Sequence, residues 1–86
     1  MRRARKVDAN QREIVAALRA AGCSVEVLSD VGRGVPDLLV MNGRTLDLYL
    51  LEVKLPDEDL NKRQCEWHEA WRFIPGVVSS PEEALS

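Results

Sequence analysis

Asp37-Leu38-Leu39-Val40-Met41-Asn42-Gly43 and, five residues on, Leu48-Tyr49-Leu50-Leu51-Glu52-Val53-Lys54 are the segments whose reading decides the fold. Residues 37–41 read as a buried strand. Asn42-Gly43 tolerates positive φ at both positions and signals a hairpin turn. A further strand follows over about 45–54, and its run Leu48-Tyr49-Leu50-Leu51 is apolar throughout, as expected of a central strand covered on both faces. A hairpin makes the two strands antiparallel neighbours, so the head of one lies beside the tail of the other. That brings Asp37 alongside Glu52.

Working outward, residues 8–21 read as a helix, with Ile14, Val15, Leu18 and Ala21 on one apolar face. Asp8 or Asn10 can cap its start and Gly22 can end it. Ser24-Val25-Glu26-Val27-Leu28 alternates with period two and reads as a strand. Gly32-Arg33-Gly34-Val35-Pro36 is a loop, and Pro56-Asp57-Glu58-Asp59 is another, acidic one. A second helix is predicted over about 61–73, where Asn61 and Gln64 have the spacing of a capping box. Leu60, Gln64, Trp67, Trp71 and Ile74 form one stripe of it, and Pro75-Gly76 ends it. Val77-Val78-Ser79 reads as a closing strand, and Ser80-Pro81-Glu82-Glu83 as the start of a last helical turn. The order helix, three strands, helix, strand predicts an α/β fold around a small mixed central sheet.

Eighty-six residues hold one domain of marginal stability, which dimerisation would help. An apolar fraction of 45% and a charged fraction of 30% exclude disorder and a disulfide scaffold. No apolar run reaches the roughly 20 residues of a membrane span, and no signal-peptide core follows the basic N-terminus. A cytoplasmic protein is expected. Cys23 and Cys65 lack the company a zinc site needs and are expected to be small buried apolar residues. The net charge of −2 hides an asymmetry: residues 1–19 carry +4 and residues 20–86 carry −6. A basic arm over residues 1–7, with Arg2, Arg3, Arg5 and Lys6, beside an acidic domain over 8–86 suits a polyanion partner once a divalent cation offsets the body's charge. A solvated, frayed terminus is the plain alternative.

Two features resist a purely structural account. Asp37 directly follows Pro36 at the head of an apolar strand, and Glu52-Val53-Lys54 ends the most apolar one. Residues two apart on a strand share a face about 6.6 Å apart, so Glu52 and Lys54 point the same way. Two adjacent carboxylates resist ionising together, and a divalent cation between them removes the conflict. Oxygen ligands favour Mg2+ or Mn2+, and the Val53 backbone carbonyl supplies a third oxygen. Such an ion polarises a phosphoryl oxygen and acidifies a bound water, with Lys54 placed to orient that water or to stabilise charge on the phosphate. The bland account is a Glu52–Lys54 surface ion pair with Asp37 capping a turn.

Pro36-Asp37, fourteen residues, then Glu52-Val53-Lys54 resembles the PD-(D/E)xK nuclease signature. With Gly32-Arg33-Gly34-Val35-Pro36-Asp37-Leu38 before it, and Gln64 and Trp67 after it, the chain is similar to the VRR-NUC branch from about Gln11 to Leu85. The resemblance implies a restriction-endonuclease-like core and Mg2+- or Mn2+-dependent cleavage of DNA. Stand-alone members resemble Holliday-junction resolvases, which dimerise and cut branched DNA. Asp37, Glu52 and the Val53 carbonyl are then the metal ligands and Lys54 the catalytic lysine. Glu13 matches the family's helical acid, acting on the metal directly or through water, and Gln64 the glutamine that lines the site. Beside these roles, Glu13 reads as a solvated helix carboxylate and Gln64 as a capping-box partner, and Arg33 as a phosphate contact or a solvated loop arginine. His68 reads as a packed or half-exposed helix residue, and Trp67 and Trp71 as core or dimer contacts. A non-catalytic nuclease-fold module that binds DNA or assembles with other proteins is the rival function, and an RNA-processing nuclease of the same fold a third.

Overall fold

The computed structural model describes the backbone of residues 2–71 and 76–86, and the side chains of residues 7–71 and 76–86. Helix α1 (Arg2–Ala20) leads into strands β1 (Cys23–Val27), β2 (Leu38–Asn42) and β3 (Leu48–Val53). Helix α2 (Lys62–Ala70), strand β4 (Gly76–Val78) and helix α3 (Pro81–Leu85) follow. The element order is the one the sequence predicts. The sheet runs β1-β2-β3-β4, with antiparallel pairing through β3 and β4 parallel to it, so it is mixed.

The chain is helical from Arg2, six residues earlier than the apolar stripe indicates. Arg-Arg-Ala-Arg-Lys consists of strong helix formers, so propensity carries the helix past the end of its buried face. Asp8 and Asn10 are therefore interior residues rather than caps, and the Asn10 amide instead donates to the Ser79 carbonyl at 2.9 Å. The side chains of Arg2, Arg3, Arg5 and Lys6 lie outside the described residues, as do Ile74 and Pro75.

The core is one layer between α1 and the sheet: Ile14, Val15 and Leu18 against Leu38, Val40, Leu51, Val53 and Val78. Burying each such side chain is worth about 1.5–3 kcal/mol, and eight of them make a small core. The start of β3 departs from expectation on both faces. Leu48 is 60% and Tyr49 47% exposed, so β3 is not covered on both faces along its length. Cys23 is half-buried and Cys65 exposed, because β1 is an edge strand and none of α2's own residues is buried.

The β2–β3 connection is longer than a two-residue turn. Asn42 closes β2, its Oδ1 accepting from the Arg44 and Thr45 backbone N–H groups, and Leu46 takes the left-handed conformation at φ 63°. A Cβ on Gly43 would sit 2.4 Å from the Gly22 carbonyl oxygen, so this glycine serves a close approach between two turns. At the other end, Ser80 caps α3 and Pro81 stands at its start, as the sequence indicates. No helix among the described residues is long and apolar enough to cross a membrane.

Candidate active site

Leu38 pairs with Leu51, and this register sets Asp37 across from Glu52. The carboxylate of Asp37 is fixed from two sides. Its Oδ2 accepts from the Val53 N–H at 2.9 Å, which ties it to the backbone between Glu52 and Lys54. Its Oδ1 lies 3.4 Å from Ser29 Oγ, which also lies 3.2 Å from Gln11 Oε1. The single hydroxyl proton serves one of these acceptors at a time.

Alternation along β3 sends Leu51 and Val53 into the core and Glu52 to the opposite face. Glu52 is nevertheless wholly buried, because α2 covers it. Gln64 Nε2 donates to Glu52 Oε1 at 3.2 Å, and His68 Nε2 lies 3.3 Å from Oε2. Burial pushes the Glu52 carboxyl up from 4.5 to about 8. The charge of Asp37 and a hydrogen bond with it act in the same direction, while Lys54 and Gln64 oppose them. At neutral pH the Glu52 carboxyl therefore keeps its proton.

Helix α2 is placed by its first turn. Asn61 and Gln64 form a reciprocal capping box, with both bonds at 2.9 Å. The Gln64 side chain thus serves the cap through its oxygen and Glu52 through its nitrogen, and the two roles read from the sequence coexist. Gly32, Arg33 and Gly34 are three consecutive left-handed residues, at φ 74°, 58° and 83°. They bring the loop so close to α2 that a Cβ on Gly34 would lie 2.2 Å from the Arg63 carbonyl oxygen. The glycine loop is the support on which Gln64 reaches Glu52.

An open cleft of about 410 Å3 gives access, lined by Val7, Asp8, Asp37, Val53, Lys54, Glu58 and Gln64. Asp37, Val53, Lys54 and Gln64 thus share one opening, and Glu52, which does not line it, is held by Gln64. Glu13 does not join them: it is exposed and lies outside the cleft lining. The α1 acid that lines the cleft is Asp8, one of the two residues the sequence offers as a cap. Ile14 and Val15, its neighbours in sequence, occupy the core stripe and turn Glu13 off the site face. Arg33 is exposed on its loop and does not line the cleft. Trp67 and Trp71 stack on each other at 4.6 Å and are not core residues. A larger groove of about 550 Å3, on the α3 side of the sheet, holds none of the site residues.

The donor set fits a hard divalent cation. A cation there would displace the proton that burial keeps on Glu52, and the carboxylate donors offered are oxygen. Among the described residues no three His, Cys, Asp or Glu side chains are grouped to hold a metal alone. A pair of carboxylates alone would leave further positions of such an ion to water and substrate. His68, Asp8 and the Ser29–Gln11 support are additions from the structure. Only His68 had a usable sequence signal, its four-residue spacing from Gln64.

No protein-family model matches the sequence, and no curated protein does. A solved structure described as "VRR_NUC domain" is similar to the chain at 31% identity with a TM-score of 0.75, covering 92% of this chain and 89% of that one.

Proposed function

Because the chain belongs to the VRR_NUC family of nuclease domains, we propose that it is a metal-dependent, structure-specific DNA endonuclease acting as a Holliday-junction-resolvase-like homodimer. The observation that carries this reading is the Asp37–Glu52 pair, one member wholly buried and proton-holding, with Lys54 beside it at an open cleft. Asp37, Glu52 and the Val53 carbonyl would hold Mg2+ or Mn2+. When bound, that ion supplies Lewis-acid polarisation of a phosphoryl oxygen and an acidified water.

The chain's own residues do the rest. The Val53 N–H and Ser29 keep Asp37 aimed at the opening. Gln64 keeps Glu52 in one rotamer. Lys54 presents a charge that neutralises what builds on the phosphate oxygens during hydrolysis. Asp8 replaces Glu13 as the helical acid facing the site. Arg33, and Arg2, Arg3, Arg5 and Lys6 of the arm over residues 1–7, engage the phosphate backbone. For the nuclease domain over 8–86, selectivity then rests on DNA shape and on two sites related by a two-fold axis.

The test is cleavage of a labelled four-way junction beside a linear duplex of matched sequence, with Mg2+, Mn2+ or EDTA, and Asp37→Asn as control. Symmetric, metal-dependent cuts on the junction alone, lost in the variant, are expected. Equal cutting of both substrates would keep the nuclease and remove its structure specificity. Tight junction binding without cutting would replace the enzyme with a non-catalytic module, and preferential cutting of RNA substrates would make it an RNA nuclease.

A further inference from the structure

Hydrolysis as outlined leaves His68 without a task, yet His68 reaches the buried carboxylate. Gln64 and His68 stand four residues apart on α2, one above the other on the same face. They take different oxygens of Glu52, at 3.2 and 3.3 Å. The imidazole side chain is 12% exposed. Trp67 meets it edge-on, with ring centroids 6.2 Å apart and planes at 72°, and Trp67 is itself stacked on Trp71. The ring is therefore held in place by the aromatic pair, while α2 buries none of its residues and is tied to the sheet through its side chains on Glu52.

We propose that His68 is a positioning residue of the metal site: with Gln64 it grips Glu52 by both oxygens and sets the orientation in which that carboxylate meets the cation. This rests on the reading of Asp37 and Glu52 as metal ligands. A carboxylate oxygen has two lone pairs, so Oε2 accepts from Nε2–H and keeps a second pair for the ion. Donors that hold a ligating carboxylate typically change metal affinity 10- to 100-fold when removed. In this role the His68 proton sits on Nε2, and a glutamine at this position can supply an N–H at similar reach, whereas an alanine cannot.

The experiment is calorimetric titration of the metal-free protein with Mn2+, without DNA, for wild type, Asp37→Asn, His68→Ala and His68→Gln. Circular dichroism and melting of each variant separate loss of the site from loss of the fold. His68→Ala is expected to weaken Mn2+ binding about 10- to 100-fold, and His68→Gln to return within about fivefold of wild type. Asp37→Asn loses the binding. An unchanged affinity in His68→Ala overturns the proposal while leaving the metal site intact. Equal losses in both His68 variants overturn it too, since the ring's packing and not its donor would then matter. Absence of Mn2+ binding in folded wild type overturns the metal site and this role together.

Discussion

Replacing Glu52 by glutamine should stabilise the metal-free protein at alkaline pH while abolishing cleavage. The side chain keeps its shape and its acceptor for Gln64; its amide nitrogen takes the place of Oε2, where it can donate to Asp37 and to His68 Nε2 once the imidazole adopts its other tautomer. The sign follows from linkage. Glu52 titrates near 8 in the native state and near 4.5 when unfolded, so between these values the native state holds a proton that the unfolded chain has released. Wild-type stability is then greatest below about pH 4.5, as far as this group is concerned. It falls by up to about 1.4 kcal/mol per pH unit until the native carboxyl ionises. The ceiling over the whole range is about 5 kcal/mol, and about 2–4 kcal/mol is expected by pH 8.5. Glu52→Gln lacks this loss. Urea unfolding followed by circular dichroism in EDTA should give variant and wild type within about 1 kcal/mol at pH 5, with the variant ahead by about 2–4 kcal/mol at pH 8.5. Added Mg2+ should raise wild-type stability by about 2.7 kcal/mol at a hundredfold excess over its Kd and leave the variant unmoved. A variant less stable than wild type at pH 8.5, or wild-type stability that climbs from pH 5 to 8.5, would refute the burial argument.

Gly34→Ala puts a Cβ 2.2 Å from the Arg63 carbonyl oxygen on a backbone at φ 83°. It should cost about 1–3 kcal/mol in unfolding free energy, and at least about tenfold in cleavage rate as Gln64 is levered off Glu52. A normal rate and melting point would mean that the loop does not support α2. Changing Arg2, Arg3, Arg5 and Lys6 together to alanine should flatten the plot of log binding constant against log salt by up to about 3–4 units of slope. If the slope measured by fluorescence anisotropy stays put, the arm does not touch phosphate. Ile14→Ala, at a fully buried position, should cost about 2–5 kcal/mol and leave much of so small a domain unfolded in a thermal melt.

What the sequence reveals and what it hides divide along a physical line. Period-two alternation, the Asn61–Gln64 cap and the Ser80-Pro81 start are local patterns, and all of them appear where the sequence puts them. The facing of Asp37 and Glu52 follows from antiparallel neighbours and needs no exact turn, so it survives a longer loop than Asn42-Gly43 alone suggests. Where Glu13 points is not legible in the sequence, because a residue's angle about a helix axis is settled only by what the helix packs on. Ile14, Val15 and Leu18 fix α1 so that Asp8, nearly a turn and a half earlier, lines the cleft instead. His68 was legible as a neighbour of Gln64 but not as a partner of Glu52. That contact depends on the glycine loop holding α2 against the sheet, a tertiary fact with no local signal.

The three left-handed residues, the capping box and the buried carboxylate form one chain of dependence. The loop can approach α2 only because Gly34 has no Cβ; that approach places Gln64; Gln64 and His68 close over Glu52. Closing over Glu52 removes it from water and raises its hold on a proton, which costs the small core stability once the pH is high enough to strip that proton away. A cation at the Asp37–Glu52 pair would satisfy both charges and reverse that loss, so one contact set would govern fold stability and readiness for hydrolysis together. Mutations in the glycine loop and at α2 should accordingly shift metal-free stability and metal affinity as linked quantities, whereas core changes such as Ile14→Ala should lower stability and leave the affinity of the folded fraction unchanged.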